Sequence, residues 1–361
     1  MRVVQLIDSL EIGGAERMAV NYANALANEI EFSALVTTRK EGDLKGELAD
    51  KVNYFFLKKR NTIDIGAVLR LRKYIVKHKV RIIQAHSSSF FLAVLLKLCY
   101  PGIKIIWHDH YGNSEFLAKR PKYALQLASF FFNGIVAVNE KLKDWACGQL
   151  YCKNVIYLPN FVTVEVSKVA RTVLQGEEGK RILCLANLRQ QKNHFLLLGV
   201  ASQLKESHPD WSFHLVGKDF NDHYAHELKA AIKERGLEQY VYCYDSCLDV
   251  ANVLGEVQIG ILTSNSEGLP LAVLEYALYK KAVLATDVGQ LSAIVENNKN
   301  GFLVPSKNVD LFYDRLVELI EDESLRNYFA EELHQKVKLH FSAPSIIKKY
   351  IYWIQTTLVH E

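Results

Sequence analysis

Apolar runs of four to seven residues recur along the chain, alternating with stretches of helical spacing. The first, at 2–8, alternates poorly and is mostly apolar (Val3, Val4, Leu6, Ile7), as a strand buried on both faces should be. Runs at 32–38, 81–85, 104–107, 135–138 and 155–158 predict further strands, with helical patterns over 65–77 and 90–98 between them. A second block begins at 181. Its predicted strands are 181–185, 213–216, 241–244, 259–262 and 282–285, and its helices lie near 195–205, 226–235, 271–280, 311–320 and 325–340. Such alternation makes parallel sheets with crossover helices. The expectation is an α/β chain of two Rossmann-like domains, 1–163 and 164–341, facing each other across a cleft. The polar stretch 163–180, with Gly176 and Gly179, reads as the interdomain linker. An aromatic-rich helix within 342–361 is expected to cross back onto the first domain.

Candidate chemistry falls at the strand ends. After 259–262 comes Ser264-Asn265-Ser266-Glu267-Gly268-Leu269-Pro270-Leu271, which opens a helix carrying Glu275. The first amides of a helix lack intrahelical partners and attract anions. Flanking carboxylates would repel a bare phosphate, so Glu267 and Glu275 suit a ligand that also offers hydroxyls, as a sugar nucleotide does. After 181–185, Arg189 and Lys192 supply cations suited to a diphosphate, one as a fork and one as a point charge. Gly13-Gly14 lies between a strand and a helix, where amides can approach a ligand, although a tight turn without one has the same pattern. Trp107-His108-Asp109-His110-Tyr111 ends a strand, at the edge where parallel sheets bind ligands, so one histidine is a candidate contact for a reacting sugar. A zinc site on His108, Asp109 and His110 lacks a further ligand.

Composition narrows the class. With 361 residues, 49% hydrophobic and 23% charged, the chain is globular and long enough for two domains. Its six cysteines show no paired CxxC spacing, which predicts reduced thiols and a cytoplasmic location. The segment 2–8 reads as a strand and not a leader, and no apolar stretch reaches the roughly 20 residues of a spanning helix. Residues 1–163 carry 23 Lys and Arg against 14 Asp and Glu, net +9, whereas 164–361 carry 21 against 26, net −5. Arg70, Arg72, Lys73 and Lys77 on one helix, and Lys119, Arg120 and Lys122 further on, are candidates for peripheral contact with an anionic membrane at its inner face. A solvated basic face is the plainer alternative. Nucleic acid is not an expected partner.

With these residues laid out, the chain resembles the retaining glycosyltransferases of family 4, which have the GT-B fold. The resemblance rests on Glu267 and Glu275 in their Ser-Asn-Ser-Glu-Gly-Leu-Pro-Leu-Ala-Val-Leu-Glu setting, on Ala282-Val283-Leu284-Ala285-Thr286-Asp287-Val288-Gly289, on Asn300-Gly301-Phe302-Leu303-Val304 and on Gly13-Gly14-Ala15-Glu16. It implies that Glu275 holds the donor's ribose hydroxyls and that Glu267 lies near the donor sugar. It further implies that the Gly268 and Leu269 backbone lies near sugar and phosphate, that Lys192 meets the diphosphate, and that Gly13 and Gly14 approach the donor. His108 aligns with the histidine beside the reacting carbon, with His110 as the second candidate. Asn187 stands where the family has arginine, with Arg189 two residues on, and the Gly-x-Pro after the helix is Lys280-Lys281-Ala282. The implied reaction moves a sugar from a nucleotide diphosphate donor, a UDP-sugar foremost, to a glycan or lipid-linked hydroxyl in surface polysaccharide synthesis, with retention. No Asp-x-Asp occurs, so neither metal nor other cofactor is expected. A UDP-sugar epimerase and a non-catalytic sugar-nucleotide or glycan-binding relative are the alternatives.

Overall fold

The computed structural model describes residues 1–163 and 172–358. They divide into two units, Met1–Thr163 with Ser342–Glu361, and Val164–Phe341. The first unit runs β1 (Arg2–Ser9), α1 (Gly14–Leu26), β2 (Phe32–Lys40), β3 (Asn53–Phe56), α2 (Ile65–Lys77), β4 (Ile82–His86), α3 (Phe90–Cys99), β5 (Lys104–Asp109), α4 (Tyr123–Ala128), β6 (Gly134–Ala137), α5 (Glu140–Gln149) and β7 (Val155–Tyr157). Its sheet is parallel, ordered β3-β2-β1-β4-β5-β6-β7. The winding reverses between β1 and β4, which is where open α/β sheets bind ligands.

The two faces of this sheet differ in chemistry. Partners across parallel strands share a face, and side chains alternate along each strand. Val4, Leu6, Ile83, Ala85, Ile105 and Trp107 point one way, into an apolar core shared with α2, α3 and α4. Each Val, Leu or Ile among them, fully buried, contributes about 1.5–3 kcal/mol. Gln5, Gln84, His86 and His108 point the other way and are all buried. Tyr22 from α1 and Tyr350 from the C-terminal helix (Ala343–Leu358) cover them. That helix is seated tightly: a Cβ on Gly134 would stand 2.5 Å from the Trp353 ring.

The second unit contains β8 (Arg181–Leu185), α6 (His194–Ser207), β9 (Ser212–Val216), α7 (His223–Glu234), β10 (Val241–Tyr244), α8 (Val250–Glu256), β11 (Ile259–Leu262), α9 (Leu271–Leu278), β12 (Ala282–Thr286), α10 (Leu291–Ile294), β13 (Phe302–Val304), α11 (Val309–Glu321) and α12 (Glu323–His340). Its parallel sheet is ordered β10-β9-β8-β11-β12-β13, with the reversal between β8 and β11. Buried Tyr276 locks α9 onto that reversal: its hydroxyl accepts from Leu185 N at 2.7 Å and lies 3.2 Å from Leu183 O. Gly260 makes the room, since a Cβ there would stand 2.5 Å from the Tyr276 ring.

Several elements depart from the sequence pattern. Four residues long, β3 leaves all of them partly or fully exposed, so no buried run marks it. The Asn300–Val304 stretch, outside the strands expected from the pattern, contains the edge strand β13. Helix α5 has little apolar stripe and is defined at its start by Asn139, whose side chain accepts from Leu142 N at 2.7 Å. Of the expected linker, 164–171 lies outside the described residues. The remainder is not loose chain: Thr172 N and Oγ1 both donate to Asp249 at 2.8 Å, and the Arg181 guanidinium donates to the carbonyls of Leu174, Gln175 and Gly176.

Candidate functional site

In the second unit the loops after β8 and β11 meet at the reversal. Asn265 N donates to Gln191 O at 2.7 Å, and Thr263 Oγ1 donates to Lys192 O at 3.0 Å. This stitching brings Lys192 Nζ to 2.6 Å from Glu267 Oε1, which also accepts from Ser264 Oγ at 2.6 Å. Glu267 is only 4% exposed. A carboxylate so buried requires a compensating charge, so the lysine expected to wait for a diphosphate is already paired. An ammonium has three donors, and one satisfies Glu267. Backbone packing holds the acid as well. Gly289, at φ +64, lies so near that a Cβ would stand 2.2 Å from Glu267 O. Pro270 and Leu271 open α9 behind Gly268 and Leu269, and Glu275 lies half-buried along that helix.

Arg189 and Asn187 do not join this group. The Arg189 guanidinium stacks 4.1 Å from the Phe220 ring centroid, on an exposed part of the loop. Asn187 ties the loop to the one after β9, its Oδ1 accepting from Lys218 N at 2.9 Å.

In the first unit the strand ends gather three histidines. His86 Nε2 faces Gln5 Oε1 at 2.7 Å, and His86 Nδ1 lies 2.9 Å from His110 Nε2. Gln84 Nε2 donates to His108 Nδ1 at 2.8 Å, and Tyr350 OH donates to Gln84 Oε1. His108 is 1% exposed, and its Nε2 has no partner among the described residues. His110 is partly exposed. Burial depresses all three imidazoles well below the ordinary value, His110 to about 3, with a smaller contribution from mutual repulsion at His86 and His108. They are therefore neutral at physiological pH.

One ring nitrogen from each of His86, His108 and His110 lies within 4.8 Å of the others, close enough in principle to hold a metal ion. The hydrogen bonds already engage His86 at both nitrogens, so a metal would have to displace one of them there, whereas His108 Nε2 has no partner among the described residues. Asp109 is no part of that group. It alternates to the opposite face of β5, where Arg120 donates to it through two bonds of 2.7 and 2.8 Å. Arg120, expected on a basic surface, is thus buried in an ion pair. At the glycine turn, Gly13 caps α1 and lies under Glu16, whose Oε2 would be 2.4 Å from a Cβ on Gly13.

Two family models match the chain side by side. Residues 12–166 match "Glycosyltransferase Family 4", and residues 168–336 match "Glycosyl transferases group 1". The chain belongs to the family 4 glycosyltransferases. It is 25% identical over 374 residues, 96% of this chain and 94% of the relative, to an Escherichia coli UDP-Gal:alpha-D-GlcNAc-diphosphoundecaprenol alpha-1,3-galactosyltransferase. It is 22% identical over 254 residues to a Staphylococcus aureus poly(ribitol-phosphate) alpha-N-acetylglucosaminyltransferase, covering 70% of this chain and half of that protein. Among solved structures, Anabaena HepE in complex with UDP and glucose matches with a TM-score of 0.81 at 18% identity, covering 98% of this chain and 99% of that one. The fold is GT-B.

Within this glycosyltransferase framework, Glu267, Lys192, Gly268 and Leu269 share one site of the second unit, with Glu275 on the helix that follows. The expected residues of the first unit are Gly13, Gly14, His108 and His110. Sequence reasoning assigned no individual role to Ser264, Thr263 and Gly289 around the Lys192–Glu267 pair, nor to Gln5, Gln84, His86 and Tyr350 around the histidines. A signal for the second set existed. Gln84 and His86 break a buried strand at alternate positions, which marks one polar face.

Proposed function

We propose that this glycosyltransferase moves a sugar from a nucleotide diphosphate donor, with UDP as the nucleotide, to a hydroxyl of a glycan or lipid-linked acceptor, retaining the anomeric configuration. The observation that carries it is the 2.6 Å Lys192–Glu267 pair at the sheet reversal, ahead of the N-terminus of α9. The bond from the anomeric carbon to the diphosphate oxygen breaks, the acceptor oxygen bonds to the same face of that carbon, and the acceptor proton passes to the departing phosphate. Negative charge grows on the diphosphate in the transition state, and prepositioned donors are most effective there. Lys192 keeps two N–H donors for it, and the backbone of Gly268 and Leu269 lies beside it. Glu275 binds the ribose hydroxyls and Glu267 orients Lys192 beside the sugar, while in the first unit Gly13, Gly14 and a histidine are the proposed ligand contacts. Since His108 Nε2 is buried and His110 is partly exposed, we assign that histidine contact to His110. With lysine compensating the diphosphate and no Asp-x-Asp to bridge it, the reaction is metal-independent.

A panel of UDP- and GDP-sugars scored for nucleotide release, with and without EDTA, tests this. Release from a UDP-sugar unchanged by EDTA is expected, and Glu275→Ala is expected to weaken donor binding by about tenfold or more in calorimetry, with circular dichroism intact, through loss of charge-assisted hydrogen bonds. No release from any donor would favour a non-catalytic relative, and sugar interconversion without an acceptor would favour an epimerase. Unchanged affinity would remove Glu275 from the site.

We further propose that the first unit docks on an anionic membrane through α2. Ile65, Leu69 and Val76 recur along one side of this helix and are exposed, beside exposed Arg72, Lys73 and Lys77. Apolar insertion flanked by cations suits an acidic interface. Among the described residues no helix is long and apolar enough to cross a membrane. Sedimentation with vesicles containing phosphatidylglycerol should exceed that with neutral vesicles by about a hundredfold, at roughly 1 kcal/mol for each of the three basic residues near the surface, and replacing Arg72, Lys73 and Lys77 together by Ser should abolish the difference. Equal sedimentation with both vesicle types rules this docking out.

A further inference from the structure

The polar row under α1 holds more than a ligand contact requires. Gln5 Oε1 can only accept, so the His86 nitrogen that faces it at 2.7 Å, Nε2, carries that ring's proton. A neutral imidazole has a single N–H. His86 Nδ1 is therefore an acceptor, and His110 Nε2, 2.9 Å away, donates to it. His110 Nδ1 is left with its lone pair. Among the three histidines His110 alone is partly exposed, and it follows the end of β5 on the sheet edge where ligands bind.

We infer that Gln5, acting through His86, is a positioning residue that fixes His110 as a hydrogen-bond acceptor at Nδ1, directed to a hydroxyl. The inference rests on the reading of His110 as a donor or acceptor sugar contact. Gln5 is fully buried on β1 and His86 fully buried on β4, so the register of these strands, with Gln5 beside Gln84, holds the row rigid. The chemistry follows from the direction of one amide. Were Gln5 Nε2 to face His86, every proton in the row would reverse, and His110 Nδ1 would become a donor suited to a phosphate or carbonyl oxygen. A glycosyl-transferring site presents hydroxyls, and an acceptor selects them. The side chain is also a close match in size to Leu, so the row can be altered without removing volume.

Long-range proton–nitrogen correlation spectra of the full chain, labelled with ¹⁵N in the histidine rings, read each tautomer directly, with His110→Gln giving the assignment. The wild type is expected to show His110 protonated at Nε2. Gln5→Leu should shift His110 toward Nδ1 protonation and lower turnover by about tenfold to a hundredfold, as loss of an outer-shell partner commonly does. Nδ1 protonation in the wild type overturns the inference, as does an unchanged His110 signature in Gln5→Leu, or a changed one with undiminished turnover. A wild type that releases no nucleotide from any donor fails the transferase reading instead, and the tautomers still decide the row.

Discussion

Lys192→Ala is expected to lower turnover by about 10²–10³-fold, the range found when a single prepositioned donor to a developing negative charge is removed. The ammonium sits 2.6 Å from Glu267 Oε1, in a site where Glu267 is 4% exposed. Donor affinity should fall much less, because the charge on the diphosphate is greater in the transition state than in the bound ground state. The substitution also removes the ammonium that compensates a buried carboxylate, which still accepts from the Ser264 hydroxyl at 2.6 Å. Stability therefore changes alongside catalysis, and the two must be separated. Lys192→Ala with Glu267→Gln removes the stranded charge, so the melting temperature should recover while turnover does not. Lys192→Arg should recover little, since a planar fork does not reproduce a point charge. Equal losses in turnover and donor affinity would show that Lys192 serves only ground-state binding.

The second unit was largely legible because its loops carry their chemistry in contiguous residues. Glu267, Gly268, Leu269 and Glu275 stand within nine positions, and β11 before them is an unbroken apolar run. What sequence order hid was the pairing. Lys192 and Glu267 are 75 residues apart, and only the adjacency of β8 and β11 in a doubly wound sheet brings them together. Arg189 shows the converse. It has the right charge two residues after Asn187, yet Phe220 from the loop after β9 draws its guanidinium away from the Lys192–Glu267 pair.

The first unit hid more, for a reason of periodicity. Gln5, Gln84 and His86 lie within runs that read as apolar because the other face is apolar. Their common direction appears only when register aligns Gln5 with Gln84 and His86 with His108. The same alternation splits His108, Asp109 and His110, which look like one cluster in sequence. His108 lies beneath Tyr22, whereas Asp109 turns to Arg120 on the opposite face. Charge counting failed at Arg120 because a basic residue among basic neighbours looks solvated unless its partner, eleven residues earlier, is known to be buried.

Arg120→Ala should be the most destabilising of the substitutions considered, by about 3–5 kcal/mol, as expected for breaking a buried pair from one side. Asp109 is 1% exposed, and the Arg120 side chain 7%. Its guanidinium donates to both carboxylate oxygens and lies 4.3 Å from the ring centroids of Tyr111 and of Trp145. Truncation thus removes two charge-assisted bonds together with three cation–π contacts, the third to Trp107 at 5.5 Å, and leaves the buried carboxylate with the Tyr111 N–H bond but without the guanidinium that compensates its charge. For a unit of this size each kcal/mol corresponds to about 2–4 °C, so calorimetry should show the first-unit transition lowered by roughly 6–20 °C. Asp109→Leu with Arg120→Leu should regain most of that loss, because replacing both charges by apolar groups removes the uncompensated one. A shift below about 2 °C for Arg120→Ala, less than 1 kcal/mol on that scale, would mean that Asp109 finds another partner. A double variant as unstable as the single would mean that the pair's geometry, and not its charge compensation, holds the end of β5 in place beside His110.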